Sequence, residues 1–130
     1  MTSALKKTEE NARLHGVTAH VVEDEWLIAL AIEDALETAG ARVVGTAGSP
    51  DDGLAILDAG PPDVAVLDFN LDGTDSTQLW QAYRQRGVPT LILSSRPRDL
   101  LREGMRDCPY LGKPADDDAI VGAIVELLNI

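Results

Sequence analysis

The sequence predicts an α/β fold in which a five-stranded parallel sheet carries helices on both faces. One observation behind this prediction is that, after residue 16, short apolar runs alternate with longer segments of helical periodicity. Strands separated by helices pair in parallel, and their right-handed crossovers place helices on the two faces of the sheet. The other observation is the run at residues 64–67, whose lack of polar alternation indicates a strand buried on both faces.

The first half of the chain divides into two strand–helix pairs. The first helix has apolar residues at helical spacing and ends at Gly40, a residue type that favours helix termination. The second helix begins at Ser49, a capping residue that is followed by Pro50 at the first helical position and by an acid at the third. The predicted elements are a strand at 17–22, a helix at 25–39, a strand at 42–46 and a helix at 50–59.

The second half continues the alternation. Gly87 and Pro89 end one helix before the next strand, and the last helix is apolar at Ile120 and Ile124. The segment between the last two strands is polar and predicts a short or irregular fourth helix. The predicted elements are a strand at 64–67, a loop at 68–74, a helix at 75–86, a strand at 90–93, a weak helix at 97–106, a strand at 110–112 and a helix at 116–128.

Composition narrows the class of protein. The 130 residues fit one domain, and 45% hydrophobic with 25% charged residues predict a globular chain. Eleven basic against 22 acidic residues give a net charge of −11, which opposes binding to nucleic acid. Cys108 is the single cysteine, so no internal disulfide forms, and no apolar stretch has the length of a membrane span. We expect a cytoplasmic protein with an N-terminal arm at 1–16 and one domain at 17–130.

Polar side chains follow four of the predicted strands. Glu23 and Asp24 follow the first strand, and Asp68 follows the buried run at 64–67. Ser94 and Lys113 follow the last two strands. Because the carboxyl ends of parallel strands meet at one edge of a sheet, where open α/β folds bind ligands, we expect these five side chains to lie together.

Three carboxylates beside one ammonium indicate phosphoryl chemistry. A carboxylate such as Asp68 can accept a phosphoryl group as an acyl phosphate. Two unit charges about 4 Å apart repel by roughly 4 kcal/mol at an effective dielectric of 20, so an anionic acceptor needs a cation. Mg²⁺ suits Glu23, Asp24 and Asp68 because it prefers hard oxygen ligands, and backbone carbonyls of the loop at 68–70 can add a ligand.

Lys113 and Ser94 have matching roles in such a site. The ammonium pairs with Asp68 and then with phosphoryl oxygens, and the hydroxyl donates to a phosphoryl oxygen. Taken singly, an acidic pair is usually a solvated turn, the serine a cap and the lysine a surface residue. The ordered set of acid pair, acid, hydroxyl and lysine at successive strand ends is much rarer than its parts.

From residue 17 to residue 130 the chain resembles the receiver domains of two-component response regulators. The resemblance implies a flavodoxin-like (CheY-like) fold and phosphorylation of Asp68 by a histidine kinase or a phosphotransfer protein. It also implies that Glu23, Asp24, Asp68 and the backbone carbonyl of Asn70 hold Mg²⁺. The segments that carry it are Val21-Val22-Glu23-Asp24-Glu25, Val66-Leu67-Asp68-Phe69-Asn70-Leu71, Leu93-Ser94-Ser95 and Tyr110-Leu111-Gly112-Lys113-Pro114.

The same resemblance implies a switch. Lys113 and Ser94 bind the phosphoryl group, Ser94 and Tyr110 form the switch pair, and Asn70 and Ser95 modulate the site. The ring of Tyr110 moves inward after the hydroxyl of Ser94, which remodels the surface around the fourth helix, the last strand and the last helix. Output is contact with a downstream protein or a second copy of the chain. A static packing role for Tyr110 is the alternative.

Three features depart from the family pattern. Asp72 stands where a proline is usual, which predicts a looser loop after Asp68. The stretch between Ser94 and Lys113 is short, which makes the fourth helix and the output face around it irregular. Trp26 follows the acidic run Glu23-Asp24-Glu25, where it packs over the metal site or covers the first helix.

The leading hypothesis is a phosphorylation-dependent signalling module that is not a turnover enzyme, either alone or as part of a larger protein. A pseudo-receiver, which binds a partner without phosphate, is the first alternative. A phosphatase of the haloacid dehalogenase type is the second, but it needs an aspartate where this chain has Asn70. A nucleotide-binding domain is the weakest, because no glycine-rich phosphate loop follows Val22.

Overall fold

The computed structural model describes residues 12–97, 101, 105 and 107–130. Within these residues the main sheet has five parallel strands, and four helices pack on it. Its strands are β1 (Thr18–Val22), β2 (Arg42–Ala47), β3 (Val64–Asp68), β6 (Thr90–Ser94) and β7 (Tyr110–Gly112). A separate two-stranded pair consists of β4 (Asn70–Leu71) and β5 (Thr74–Asp75). The helices are α1 (Trp26–Thr38), α2 (Pro50–Ala59), α3 (Thr77–Gln85) and α4 (Asp117–Leu128).

The strand order of the main sheet is β2-β1-β3-β6-β7. The chain moves outward from β1 to β2 and then returns across β1 to β3, so the direction of winding reverses between β1 and β3. In the register, Val22 pairs with Leu67, Asp68 with Leu93, and Ser94 with Gly112. The predicted parallel α/β fold is therefore confirmed, and the four strand ends lie at one edge beside the switch point, where such sheets bind ligands.

Two hydrophobic clusters cover the two faces of the sheet. Successive side chains of a strand point to opposite faces, so Val66 joins one cluster and its neighbour Leu67 joins the other. The first cluster lies under α1 and α4, and the second lies under α2 and α3. All five residues of β3 are buried, as the unbroken apolar run predicted.

The helix ends follow the predicted chemistry. The Ser49 hydroxyl accepts a hydrogen bond from the backbone N–H of Asp52 at 3.1 Å, with Pro50 as the first helical residue of α2. Asp116 caps α4 in the same way, accepting from the N–H of Ala119 at 2.8 Å. These caps satisfy backbone donors that have no partner within the helix, and thereby fix where each helix begins.

The predicted loop at 68–74 is wrong, because the structure places the β4–β5 hairpin there. Asn70 pairs with Asp75 and Leu71 with Thr74 in antiparallel register. The two turn residues, Asp72 and Gly73, have φ of 50° and 83°, the positive values that a two-residue primed hairpin turn requires. Aspartate followed by glycine favours that turn, so the replacement of proline builds a hairpin rather than loosening the loop.

Two predictions fall mostly on residues outside the described ones. Of the weak helix at 97–106, the structure describes only residues 97, 101 and 105. Of the arm at 1–16 it describes 12–16, where Leu14 is fully buried and its N–H donates to the carbonyl of Ala39 at 2.8 Å. Among the helices of the described ranges, none combines the length and apolarity that crossing a membrane requires.

Candidate functional site

The candidate site lies at the carboxyl ends of β1, β3, β6 and β7. Asp68 is the last residue of β3, and Glu23 directly follows β1. Both are buried, with 7% and 3% of their surface exposed, whereas Asp24 is exposed. The register of the sheet thus delivers two carboxylates from the interior and a third from the surface to one place.

The three carboxylates lie close enough to share an ion. Glu23, Asp24 and Asp68 each offer one oxygen, and these oxygens all lie within 4.8 Å of one another. Lys113 Nζ donates to Glu23 Oε1 at 2.6 Å and lies 3.2 Å from Asp68 Oδ2. The structure therefore brings the acid pair, the acceptor candidate and the lysine into a single cluster.

Burial and mutual charge shift the titration of this cluster. Burial, followed by the nearby carboxylate of Asp68, raises the pKa of Glu23 to about 8, although Lys113 acts in the opposite direction. Burial alone lowers the pKa of Lys113, but its hydrogen bond to Glu23 and the charge of Asp68 outweigh burial and raise that pKa. The lysine is therefore a fixed cation, and Glu23 gives up its proton readily only when more positive charge arrives.

One buried oxygen in the cluster fits a metal ligand. Glu23 Oε2 is fully buried and has no hydrogen-bond partner among the described residues. An unpaired buried oxygen is costly, and a cation at the centre of three carboxylates would satisfy it. The donor set is all hard oxygen, which suits Mg²⁺ better than a thiophilic metal. The residues present therefore fit the ion that the sequence predicts.

The other predicted site residues surround this cluster. The N–H of Asn70 donates weakly to Asp68 Oδ1 at 3.4 Å. Ser94 is buried at the end of β6, and its Oγ accepts from the N–H of Arg96 at 3.0 Å. Tyr110 is half-buried, and its hydroxyl donates to the carbonyl of Arg96. Ser95 is exposed. The metal-binding role of the Asn70 carbonyl stays a prediction.

Two sets of hydrogen bonds at the site were not predicted from the sequence. The N–H of Asp72 donates to Asp24 Oδ2 at 3.1 Å, which links the hairpin turn to the acidic pair. The Ser76 hydroxyl donates to the carbonyls of Asp68 at 2.9 Å and Phe69 at 3.0 Å, a bifurcated contact that closes the base of the hairpin. The Asp72-Gly73 pair, which is typical of primed turns, was the available signal for the hairpin. Ser76 carried no signal of its own.

An apolar groove borders the cluster on the side of α1. Its volume is about 490 Å³, and it lies between α1 and α4. Trp26 and Leu30 on α1 expose 72% and 55% of their surface, and Leu27 exposes 64%. Trp26 therefore does not pack over the metal site. The groove is lined by Leu27, Ile28, Ala31, Lys113, Pro114 and Ala115, among others.

Comparison with known proteins identifies the family. The family model of the response regulator receiver domain matches residues 19–125, which cover the acidic cluster and all of the main sheet except Thr18. The chain belongs to this family. Receiver domains act in two-component systems, and phosphorylation and Mg²⁺ are typical of them.

Relatives and solved structures agree with this family. The transcriptional regulatory protein AfsQ1 of Streptomyces coelicolor is 33% identical over 114 residues, or 81% of this chain and 49% of AfsQ1. The response regulator PhyR from Brucella abortus superposes with a TM-score of 0.79 at 27% identity, over 99% of this chain and 53% of PhyR. The BeF3-activated conformation of SdrG from Pseudomonas melonis Fr1 has a TM-score of 0.74 at 35% identity, over 85% of this chain and 95% of the SdrG chain. The receiver domain spans about half the length of the curated relatives it matches, or less.

Proposed function

We propose that this receiver domain is a phosphorylation-dependent signalling module whose acceptor is Asp68. A histidine kinase or a phosphotransfer protein donates the phosphoryl group, with Mg²⁺ bound by Glu23, Asp24, Asp68 and the backbone carbonyl of Asn70. The observation that carries the proposal is the packing of Lys113 against Glu23 and Asp68, at 2.6 Å and 3.2 Å, beside a third carboxylate. A purely structural lysine needs one partner, whereas this one organises an anionic cluster.

The transfer is a single displacement at phosphorus. A carboxylate oxygen of Asp68 attacks the phosphorus, the P–N bond to the donor histidine breaks, and the bonding electrons stay with the imidazole nitrogen. When bound, Mg²⁺ supplies the positive charge that lets two anions approach. Lys113 holds a proton throughout, because its pKa is raised, and neutralises part of the transferred charge. Water later cleaves the acyl phosphate, so the domain returns to its starting state without processing a substrate.

The new charge is proposed to act on the loop after β6. The Ser94 hydroxyl donates to a phosphoryl oxygen, and this draws the loop that holds Arg96 toward Asp68. The Tyr110 hydroxyl is bonded to the Arg96 carbonyl, so the tyrosine follows that movement. Phosphorylation shifts the equilibrium between the two conformations only by the difference between its contacts in one and in the other. To change the ratio of their populations from 1:99 to 99:1, this difference has to be about 5.5 kcal/mol. Asn70 and Ser95, which flank the acceptor and the hydroxyl, are proposed to set how readily attacking water reaches the acyl phosphate.

Partners follow from the same geometry. A phosphoryl donor has to cover Asp68, so it also contacts the neighbouring surface, where Trp26, Leu27 and Leu30 are exposed. Their apolar side chains suit a helical donor surface with its own apolar residues. The remodelled surface near Tyr110 is proposed to bind a downstream protein or a second copy of the domain. We further propose that the protein works in the cytoplasm and that the receiver occupies residues 17–130.

Two alternatives are weaker. A pseudo-receiver would not need the full set of Glu23, Asp24, Asp68 and Lys113, all of which are present in contact range. A phosphatase of the haloacid dehalogenase type would need an acid two residues after Asp68, where the chain has Asn70. The solved BeF3-activated conformation of SdrG also supports the phosphorylation proposal, since SdrG is 35% identical to this chain and has a similar fold.

Acetyl phosphate with Mg²⁺ tests the proposal. We expect the wild type to gain the mass of one phosphoryl group, and beryllofluoride to change the fluorescence of its two tryptophans, Trp26 and Trp80. Asp68→Ala removes both responses. Asp58→Ala is the matched control, because that exposed aspartate pairs with Arg86 rather than with the cluster.

Each alternative predicts a different result. No mass gain and an unchanged spectrum in the wild type would establish the pseudo-receiver. Release of many phosphate ions per protein molecule from a small phosphoester would establish the phosphatase. Loss of both responses in Asp58→Ala as well would show that the assay reports folding rather than Asp68.

A further inference from the structure

The β4–β5 hairpin is fixed next to the acceptor. Leu71 is 1% exposed and belongs to the second hydrophobic cluster. At the base, the N–H of Ser76 donates to the Phe69 carbonyl at 2.8 Å, and the Ser76 hydroxyl donates to the carbonyls of Asp68 and Phe69. Since Asp68 lies two residues before the hairpin and Leu71 is buried in the core, the turn occupies a defined place beside the cluster.

The turn reaches across to the acidic pair. The N–H of Asp72 donates to Asp24 Oδ2 at 3.1 Å, although 48 residues separate the two along the chain. A proline at this position has no N–H and could not make the bond. The departure from the family pattern at Asp72 therefore adds a contact to the site.

Asp24 needs such a contact more than the other two carboxylates do. Glu23 is held by Lys113, and Asp68 is held by Lys113 and by the N–H of Asn70. Asp24 is exposed, and within residues 12–97 and 107–130 the hydrogen bond from Asp72 is the one that orients its carboxylate. Without that bond, an exposed aspartate samples several rotamers, and ordering it opposes metal binding.

We propose that the backbone N–H of Asp72 is a positioning group that sets Asp24 for Mg²⁺. This inference depends on the proposed function, because it assumes that the acidic cluster holds the ion. The bond occupies one oxygen of the Asp24 carboxylate and leaves the second for the metal. Hydrogen bonds that orient a ligating carboxylate typically change metal affinity by about 10- to 100-fold. Asp72 acts through Asp24, and its own side chain is not required.

Substitution of the turn glycine tests this assignment cleanly. Gly73 has φ of +83°, and a Cβ there would meet no atom within 4 Å, so Gly73→Val strains the backbone of the turn although its Cβ meets no neighbour. Gly16 is a matched control: its φ is +82°, its surroundings are equally open, and it precedes β1 at the opposite edge of the sheet. Asp72→Gly is the second control, because it keeps the N–H and the positive φ but removes the carboxylate.

The measurements are the Kd for Mg²⁺ by calorimetry and the Tm in EDTA. We expect Gly73→Val to raise the Kd about tenfold, the lower end of the usual effect. Gly16→Val is expected to lower the Tm about as much as Gly73→Val does, but to leave the Kd within about twofold of wild type. Asp72→Gly is also expected to leave the Kd within about twofold of wild type. Gly73→Ala, which strains the turn less, repeats the rise in Kd at smaller amplitude and serves if Gly73→Val does not fold.

Several outcomes would overturn the inference. Equal Kd values for wild type and both Gly73 variants would show that the turn does not position Asp24. A rise in Asp72→Gly as large as in Gly73→Val would assign the effect to the side chain instead of the N–H. A wild type that binds no Mg²⁺ overturns the proposed function along with this inference, whereas wild-type binding with unaffected Gly73 variants removes the inference alone.

Discussion

Two buried polar sites lie three residues apart on the first strand and its end, and they differ in one respect. His20 is 1% exposed, and its Nδ1 lies 2.8 Å from the Tyr83 hydroxyl, with the two rings edge-to-face at 5.8 Å. Glu23 is 3% exposed, and one of its two oxygens has no partner within the described part of the chain. The first site is complete within the described residues, whereas the second has one carboxylate oxygen left for the cation that we propose. Burial of a titratable group therefore does not by itself mark function, and what distinguishes Glu23 from His20 is a buried oxygen without a described partner beside two further carboxylates.

The two sites also respond oppositely to charge. Burial lowers the pKa of His20, so the ring stays neutral in its pair with Tyr83, whose own pKa burial raises. Burial and Asp68 raise the pKa of Glu23, so the metal-free cluster retains a proton near neutral pH. Under the proposed function, a cation stabilises the second site by displacing that proton, whereas the pair of His20 and Tyr83 offers it no carboxylate ligand.

The largest effect that we expect is the loss of unfolding free energy in Lys113→Ala in the metal-free domain, which tests the difference between the two sites. Removing one partner from a buried ion pair leaves uncompensated charge and costs about 3 kcal/mol of unfolding free energy. Mg²⁺ is expected to restore most of that loss, because it supplies positive charge among Glu23, Asp24 and Asp68. Urea denaturation in EDTA and in Mg²⁺ measures both values. An equal loss in the two buffers would mean that the cluster does not take up the ion.

Tyr83→Phe is expected to cause a smaller loss of stability, and one that Mg²⁺ does not reverse. It deletes the hydroxyl that meets His20 and leaves a buried ring nitrogen unpaired, which costs about 2 kcal/mol. Mg²⁺ should not reverse this loss, because the pair is structural. Tyr110→Phe is the matched control: that ring is half-buried, and we expect it to lose about 1 kcal/mol or less. Recovery of Tyr83→Phe in Mg²⁺ would remove the distinction between the two sites.

The sequence predicted the sheet and the position of the site because both depend on local patterns. Apolar runs of strand length set β1, β3, β6 and β7, and the capping residue Ser49 set the start of α2. Once these strands are parallel, their carboxyl ends must meet, which places Asp68 and Lys113 together without knowledge of any contact. This is why the acidic cluster could be predicted from residue order alone.

What escaped prediction depends on contacts between distant segments. His20 sits inside an apolar strand, and its partner Tyr83 is 63 residues away, so no local signal announces the pair. The bond from Asp72 to Asp24 likewise depends on the position of the β4–β5 hairpin, where the sequence predicts a loop. Local sequence fixes where a side chain emerges, and tertiary packing decides which hydrogen bonds it makes.

The smallest expected effect is the change of folding stability with pH. It sharpens the comparison because Glu23 and His20 change the stability in opposite directions as the pH falls. The folded pKa of Glu23 is about 8 against a usual 4.5, so the folded state binds a proton that the unfolded state lacks as the pH falls below about 8. Stability in EDTA therefore rises on acidification, by at most about 1.4 kcal/mol per pH unit for one proton. The folded pKa of His20 is below its usual 6.5, so acidification past that value protonates the unfolded state first and lowers stability. Glu23→Gln should flatten the slope between about 8 and 6.5 and reveal a decline below 6.5 that Glu23 offsets in the wild type, as followed by urea denaturation across pH. An unchanged slope above 6.5 would show that Glu23 is ionised in the metal-free domain.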